Sequence, residues 1–148
     1  MKLSTASLLL SFALPLAAAD RVFEKTVPVP RTRDVELNWT QQECSIESLT
    51  LRNYPDDEDI DKARAEDPDD KTWLWWEFNV ANSGSQKCKI RLELEVLDKK
   101  GAVIKSSDRS DTVDPGETDD DIRVSMLMKT LDIVEASKVR IRAEVRPK

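Results

Sequence analysis

The residue types best able to do chemistry are the carboxylates of one acidic segment, residues 55–71. The segment carries nine acidic side chains against three basic ones. Within it, Asp57, Asp59 and Asp61 have the alternate spacing of the first ligands in an EF-hand calcium loop, and Ca²⁺ prefers clustered carboxylate oxygens. These three residues are therefore the candidate metal ligands of the chain.

The rest of the EF-hand pattern does not follow in this segment. Counting from Asp57, the sixth position is Lys62 rather than glycine, and the twelfth is Pro68 rather than glutamate. The sharp turn and the bidentate ligand of a calcium loop are therefore missing. We expect a solvated acidic loop with one helical turn near residues 60–65 and no cofactor, and we keep calcium as the alternative.

A second acidic run lies between residues 108 and 121, with seven acidic residues and one arginine. If each predicted strand crosses the domain once, the two acidic runs lie at opposite ends of it. They are therefore not expected to share an ion.

Two tryptophans are the strongest candidates for contact with a partner. Trp73 and Trp75 alternate with Leu74, Trp76 and Phe78, and successive side chains of a strand point to opposite faces of the sheet. One set faces the core, and the other forms an outward aromatic strip about 7 Å long. The strip would suit a protein partner or the rings of a carbohydrate. Alternatively, another segment folds over it and extends the core.

Composition disfavours catalysis. The chain has no histidine, the usual base for a serine or cysteine nucleophile, and its three glycines form no phosphate-binding loop. A pair of glycosidase carboxylates needs a deep cleft, for which a domain of this size offers little room. We expect a protein that is not an enzyme, with a small hydrolase as an alternative.

The N-terminus predicts export. Lys2 precedes an apolar run that ends in three alanines at residues 17–19, and these are the parts of a cleavable signal peptide. We assign 1–19 to a signal peptide cleaved before Asp20, and 20–148 to a single periplasmic or secreted domain. The run is too short to span a bilayer. The net charge of −7 after cleavage argues against nucleic acid or an anionic membrane as partner.

Cys44 and Cys88 are the two cysteines of the chain. Export places them in an oxidising compartment, which favours a disulfide between them. Two buried thiols or a metal pair are the alternatives, although zinc would need two further nitrogen or sulfur ligands. With one crossing per strand, Cys44 lies at the same end of the domain as residues 82–84, just before Cys88.

Alternating apolar residues predict strands over most of the domain. They are expected near residues 35–39, 45–52, 72–82, 88–96, 102–105, 122–126 and 139–145. The strand at 45–52 is weak, because Ile46 and Leu49 fall on opposite parities. Residues 82–84 have the composition of a hairpin turn.

The last part of the chain adds a short helix to this pattern. Residues 130–137 break the alternation and predict about two helical turns with Thr130 as the N-cap. In the strand that follows, outward arginines are expected to pair with Glu93 or Glu95. About seven strands with a helix before the last predict an all-β fold, an antiparallel immunoglobulin-like β-sandwich.

Residues 72–126 resemble the FxLYD-type immunoglobulin-like domains of bacterial exported proteins. The likeness lies in the V-x-N-x-G turn at 80–84, the strand and K-x-G turn at 94–101, and the Pro-Gly turn within 113–116. Leu94, Val96 and Leu97 stand where the family has Phe, Leu and Tyr, and only Asp98 of the name-giving motif is retained. The resemblance implies a sandwich fold and an extracytoplasmic setting, and it supplies no catalytic residue.

Together, these patterns predict an exported, non-catalytic binding or accessory module. We expect Trp73 and Trp75 to contact a protein or another component of the cell envelope. A calcium- or carbohydrate-binding module is the first alternative, and a small hydrolase is the second.

Overall fold

The computed structural model describes residues 21–147. The predicted signal peptide at 1–19 and its cleavage before Asp20 lie outside the described residues. Within them, eight strands and two helices follow in the order β1 (Arg21–Pro28), β2 (Val35–Gln41), β3 (Cys44–Arg52), α1 (Asp57–Ala65), β4 (Lys71–Asn82), β5 (Cys88–Leu97), β6 (Val103–Val113), β7 (Asp120–Lys129), α2 (Thr130–Glu135) and β8 (Lys138–Pro147).

The strands form two four-stranded sheets. One sheet has the order β1-β8-β5-β6, and the other has the order β2-β3-β4-β7. We call them the β5 sheet and the β4 sheet. All neighbouring strands in them are antiparallel. The predicted antiparallel β-sandwich is confirmed, with eight strands among residues 21–147 instead of about seven, and with α2 directly before the last strand.

Alternation along the central strands decides which side chains fill the space between the sheets. On β4, the inward residues Leu74, Trp76, Phe78 and Val80 are all buried, as their parity predicts. Burial of such a side chain contributes about 1.5–3 kcal/mol. A shift of one residue would expose the whole set, so this core also fixes which β4 residues point outward.

A bulge in β3 explains its irregular sequence. The register with β4 skips Glu47, which lies between Ile46 and Ser48. One inserted residue reverses the alternation, and Ile46 and Leu49 are consequently both fully buried. The strand predicted as weak is a core strand with one additional residue.

Two edge strands depart from the sequence prediction. β6 has 11 residues, whereas the pattern predicts only 102–105, and β1 is not predicted at all. Both lie at the edges of the β5 sheet, and most of their residues are exposed on both faces. Their sequences therefore lack apolar alternation, and pairing with a neighbouring strand decides their conformation.

The turn after β4 crosses between the sheets, so the hairpin predicted at 82–84 is wrong. β4 pairs with β3 and β7, whereas β5 pairs with β6 and β8. The turn chemistry itself is present, because the backbone N–H of Gly84 donates to Oδ1 of Asn82 at 3.0 Å. The buried Asn82 also donates through Nδ2 to the carbonyl oxygens of Gln86 and Val113, at 2.7 and 3.1 Å.

The predicted disulfide between Cys44 and Cys88 is confirmed. Their Cα atoms lie 6.0 Å apart, and both residues are buried. Cys44 begins β3 and pairs with Asn82 of β4, while Cys88 begins β5. The bond therefore joins the two sheets at the end of the sandwich that the sequence predicts.

The acidic segment forms a nine-residue helix, longer than the predicted single turn. Asp56 caps α1 by accepting a hydrogen bond from the backbone N–H of Asp59 at 2.8 Å. Three acidic residues in the first turn suit the positive end of the helix dipole. Charge at the helix N-terminus thus explains part of the acidity of this segment.

Thr130 does not cap α2, so that prediction is wrong. Its hydroxyl donates to Oδ2 of Asp70 at 3.0 Å and lies 2.8 Å from the hydroxyl of Thr72. The side chain is buried and ties α2 to the start of β4.

Neither of the two helices among residues 21–147 has the length or apolar character to cross a membrane.

Candidate functional site

The two predicted contact tryptophans lie on the outward face of the β4 sheet. Because Leu74 and Trp76 point inward, Trp73 and Trp75 point outward. Trp73 is 51% exposed, and Trp75 is half-buried. Asn53 at the end of β3 donates to the carbonyl oxygen of Trp73 at 2.7 Å, which fastens this part of β4 to its neighbour.

A carboxylate held by two arginines lies beside the tryptophans. The side chain of Glu77 is only 11% exposed. Its Oε2 accepts a hydrogen bond from Nε of Arg52 on β3, and its Oε1 accepts two from Arg123 on β7, at 2.8 and 3.2 Å. The side chains of Arg52 and Arg123 remain 58% and 48% exposed. Each guanidinium keeps N–H donors that Glu77 does not use.

The guanidinium of Arg123 also lies over the ring of Trp75, 4.8 Å from its centroid. Arginine and tryptophan attract each other at this distance through a cation–π contact of about 0.5–1 kcal/mol at an exposed site. Trp75 is thereby held in place, whereas Trp73 presents half of its surface to solvent. We call the surface formed by Arg52, Trp73, Trp75, Glu77 and Arg123 the Trp face.

The charges of the Trp face stabilise one another. The hydrogen bond from Arg52 is the largest effect that lowers the pKa of Glu77 below its ordinary value, and it outweighs partial burial, which raises that pKa. The same hydrogen bond raises the pKa of Arg52. Two guanidinium groups around one carboxylate give the cluster a net charge of +1.

A shallow groove of about 300 Å³ continues the Trp face toward the helical end of the sandwich. Leu127, which pairs with Trp73 across β4 and β7, brings the groove next to the exposed indole. Nζ of Lys129 lies 2.9 Å from Oδ1 of Asp69. We call this surface the lysine groove, and its lining includes Lys71, Ile104, Lys105, Leu127, Lys129 and Asp132.

The three candidate calcium ligands lie on α1. Successive residues of a helix are rotated by about 100°, so Asp59 points away from the side that Asp57 and Asp61 share. Among residues 21–147, no group of three or more His, Cys, Asp or Glu side chains is placed to hold a metal ion. The fold does not bring the predicted ligands together.

The second acidic run lies at the disulfide end of the sandwich. Nδ2 of Asn79 donates to Oδ1 of Asp119 at 2.7 Å, while α1 lies beyond the other end of β4. The two acidic runs are therefore at opposite ends, as predicted. Desolvation raises the pKa of Glu117 most, because it disfavours the charged form, and the hydrogen bond with Asp120 and the nearby carboxyl groups raise it further.

The outward face of the β5 sheet has a different character. Arg140 donates to Glu95, and Arg142 donates to Glu93 at 3.0 Å, which confirms the predicted pairing of arginine with these residues. Arg91 lies between further carboxylates on β5 and β6. Positive and negative side chains alternate closely on this face, so its charges are satisfied within the sheet.

The charged part of the Trp face escapes prediction from the sequence. Glu77 shares the parity of Trp73 and Trp75, so alternation alone would place it on their face. Its contacts with Arg52 and Arg123 depend on the registers of β3 and β7 against β4, which no local pattern contains.

The fold thus places Trp73 and Trp75 beside three interacting charges and keeps the predicted calcium ligands apart. No protein-family model matches the chain, and no curated protein matches its sequence.

Proposed function

We propose that this protein is an exported, non-catalytic binding module that contacts a protein partner through the Trp face. The observation that supports this most is the exposure of Trp73, 51% of which is accessible, although tryptophan ordinarily buries most of its surface. Tryptophan and arginine are enriched among the residues that dominate binding energy in protein interfaces. The Trp face presents two of each.

The rigidity of the Trp face supports the same proposal. Its residues stand on paired strands of a four-stranded sheet, and Glu77 holds Arg52 and Arg123 on either side of β4. Side chains that are already ordered lose less conformational entropy on binding. A partner would therefore meet a prearranged surface rather than a set of mobile side chains.

Two observations support export. Residues 1–19 have the pattern of a signal peptide, and a buried disulfide such as Cys44–Cys88 is typical of oxidising compartments. The resemblance to FxLYD-type domains points to the same setting. Cell fractionation with N-terminal sequencing tests export: we expect a chain that begins at Asp20 outside the cytoplasm. A cytoplasmic chain that retains Met1 would contradict it.

Affinity capture with matched variants tests the binding function. The purified chain is used to capture proteins from envelope and culture fractions of the source cells, and each captured protein is quantified. Trp73→Ala is compared with Val22→Ala, because Val22 is 48% exposed and lies on the other sheet. We expect Trp73→Ala to reduce the captured amount of the specific partner about tenfold or more. Val22→Ala should leave that amount unchanged.

Two results would overturn this function. One is a captured set that is the same for the original chain, Trp73→Ala and Val22→Ala. The other is binding of a glycan panel that depends on Trp73 with no protein partner, which would identify a carbohydrate-binding module instead.

A further inference from the structure

We propose that Asn38 on β2 carries an N-linked glycan. Residues 38–40 read Asn-Trp-Thr, the acceptor pattern for N-glycosylation of exported proteins. The chain has four asparagines, and Asn38 is the only one with a serine or threonine two positions later. This inference rests on export, which is part of the proposed function, and it adds a covalent modification to the domain.

The fold leaves both ends of this tripeptide accessible. Asn38 and Thr40 are exposed, whereas the ring of Trp39 between them stacks on Phe23 of β1, with 5.4 Å between the ring centroids. Trp39 is therefore directed toward the core, and its two neighbours point outward because successive side chains of a strand alternate. The acceptor amide and the hydroxyl that the pattern requires both lie on the surface.

The backbone at Asn38 departs from the regular strand. The register between β2 and β3 shifts between Glu36 and Trp39, and Asn38 has a φ of 50°. A bulge with a left-handed residue bends the strand and redirects the side chain. No hydrogen bond ties the side-chain amide of Asn38 to the rest of residues 21–147, so this amide is available for modification.

Asn53 provides a comparison within the same sheet. It is also exposed and has a φ of 64°, but its Nδ2 donates to the carbonyl oxygen of Trp73 at 2.7 Å. In addition, Pro55 occupies the position that the pattern reserves for serine or threonine. The unusual backbone of Asn53 thus has a role inside the fold, whereas that of Asn38 presents an unused amide beside Thr40.

A glycan suits the position of Asn38 at the edge of the β4 sheet. β2 is an edge strand, and Nζ of Lys25 on β1 lies 3.4 Å from the carbonyl oxygen of Glu36. Arg21 of β1 makes the corresponding contact with the carbonyl oxygen of Thr40, also at 3.4 Å. The side chains of β1 therefore cover this edge on both sides of Asn38. A bulky hydrophilic group between them would further prevent pairing with a strand of another chain.

The same position leaves the Trp face open. Asn38 lies opposite Glu47 at the bulge between β2 and β3, whereas Arg52 of the Trp face lies five residues further along β3. Five residues of a strand span about 16 Å. The glycan and the proposed binding surface therefore occupy different parts of the β4 sheet, and one chain can carry both.

The modification is a group transfer from a lipid-linked sugar pyrophosphate. The amide nitrogen of Asn38 forms a bond to C1 of the first sugar, while the bond between C1 and the phosphate oxygen breaks. The lipid pyrophosphate leaves with the electron pair of that bond, and the amide nitrogen gives up a proton to a base of the transferring enzyme. This protein supplies only the acceptor, which agrees with a non-catalytic module.

Mass spectrometry of the exported chain tests the proposal. The chain is purified from envelope and culture fractions of the source cells, its disulfide is reduced, and trypsin releases residues 34–52, which include Asn38. We expect this peptide to be heavier than its sequence mass by an oligosaccharide in most molecules. Fragmentation of the peptide should place the sugar on Asn38.

Matched variants separate the acceptor pattern from other causes. Asn38→Gln and Thr40→Ala should each abolish the added mass, whereas Thr40→Ser keeps the required hydroxyl and should retain it. Asn79→Gln is the control, because no serine or threonine lies two positions after Asn79, and it should leave the added mass unchanged. Circular dichroism of each variant shows whether it is folded.

The outcomes distinguish this proposal from the proposed function. An exported chain that begins at Asp20 and has an unmodified peptide 34–52 overturns the glycan and leaves export and partner binding intact. A sugar that persists in Thr40→Ala, or that is attached to another residue, also overturns it. A cytoplasmic chain that retains Met1 overturns both export and the glycan.

Discussion

Glu77 on β4 accepts two hydrogen bonds from the guanidinium of Arg123 on β7, at 2.8 and 3.2 Å. A further hydrogen bond from Arg52 on β3 makes this carboxylate the link between three adjacent strands. A carboxylate with so little exposure needs such partners, because an unpaired charge away from water is strongly unfavourable. The stability of the β4 sheet therefore depends on the ionisation of one side chain.

Replacement of Glu77 should reveal this dependence. We expect Glu77→Gln to lower the free energy of unfolding by about 1.5–3 kcal/mol at neutral pH, the range for hydrogen bonds to charged groups. The pKa of Glu77 in the folded protein lies below its ordinary value of 4.5, so its contribution is complete above 4.5 and is lost as the pH falls through the folded-state pKa. Urea unfolding across this pH range measures the difference between the two proteins.

The control for this prediction is Glu93→Gln on the opposite face. The Glu93 side chain is 32% exposed, and its loss should cost less than about 1 kcal/mol. A cost for Glu77→Gln that is the same at low and neutral pH would show that the carboxylate charge does not matter.

The neighbouring tryptophans should differ sharply in their effect on stability. Trp76 is fully buried, and Trp76→Ala should cost about 3–5 kcal/mol. Trp73→Ala should cost less than about 0.5 kcal/mol, because half of this side chain is already in water. Thermal unfolding measures both. A large loss of stability with Trp73→Ala would mean that its role is structural.

A milder replacement of Trp76 tests whether its contribution to stability comes from the volume of its side chain. The Nε1 of Trp76 is buried and has no hydrogen-bond partner among residues 21–147, so its removal breaks no hydrogen bond. We expect Trp76→Phe to cost clearly less than Trp76→Ala, about 1–2 kcal/mol. Equal costs for the two variants in urea unfolding would contradict this.

Asn82 should be among the most sensitive polar residues of the described fold. Its side chain bonds Gly84, Gln86 and Val113, and Asn82→Ala removes all three hydrogen bonds, of which the one to Val113 is buried and the other two are part-buried. We expect a loss of about 2–4 kcal/mol by urea unfolding. Asn79→Ala is the control, because the Asn79 hydrogen bond is exposed, and it should cost less than about 1 kcal/mol.

The variant Asn82→Asp provides a second test of Asn82, because it tests whether the side chain acts as a hydrogen-bond donor. A carboxylate cannot donate to the carbonyl oxygens of Gln86 and Val113, and it would be ionised in a buried site. Asn82→Asp should therefore lose further stability as the pH rises through the raised pKa of the new carboxyl group. Equal stability of Asn82→Asp at low and neutral pH would argue against the donor role of Asn82.

The disulfide should contribute most of its stability through the unfolded state. Cys44 and Cys88 are separated by 44 residues, for which the loop-closure estimate is about 4 kcal/mol. The double variant Cys44→Ala with Cys88→Ala should lose up to that amount in urea unfolding. Addition of a reductant should destabilise only the original chain. If the original chain has the same midpoint with and without reductant, this contribution is absent.

Local patterns predicted the elements whose two faces differ. The alternation along β4 and β5 identified both the buried residues and the outward Trp73 and Trp75, because side-chain direction in a strand follows parity. It failed for β6, where both faces are exposed and no alternation exists. It also misjudged β3, because the bulge at Glu47 reverses parity in the middle of the strand.

Local sequence patterns could not predict the three charged residues of the candidate site. Arg52, Glu77 and Arg123 are far apart in sequence, and each resembles an ordinary surface residue when considered alone. They meet because β3 and β7 both pair with β4 in one register. The lysine groove likewise forms where Lys105 of β6 comes close to β7 at the corner between the sheets.

The sequence by itself determined the β-sandwich class, the buried faces of its central strands, the outward direction of Trp73 and Trp75, and the pairing of the only two cysteines. All of these follow from period-two alternation, turn chemistry and residue counts, which are local properties. Only the tertiary structure decided that the turn at 82–84 joins two sheets, that Asp57, Asp59 and Asp61 diverge on a helix, and that Glu77 links two arginines beside the tryptophans. These depend on which strands become neighbours and in what register, and burial of the whole core selects that arrangement.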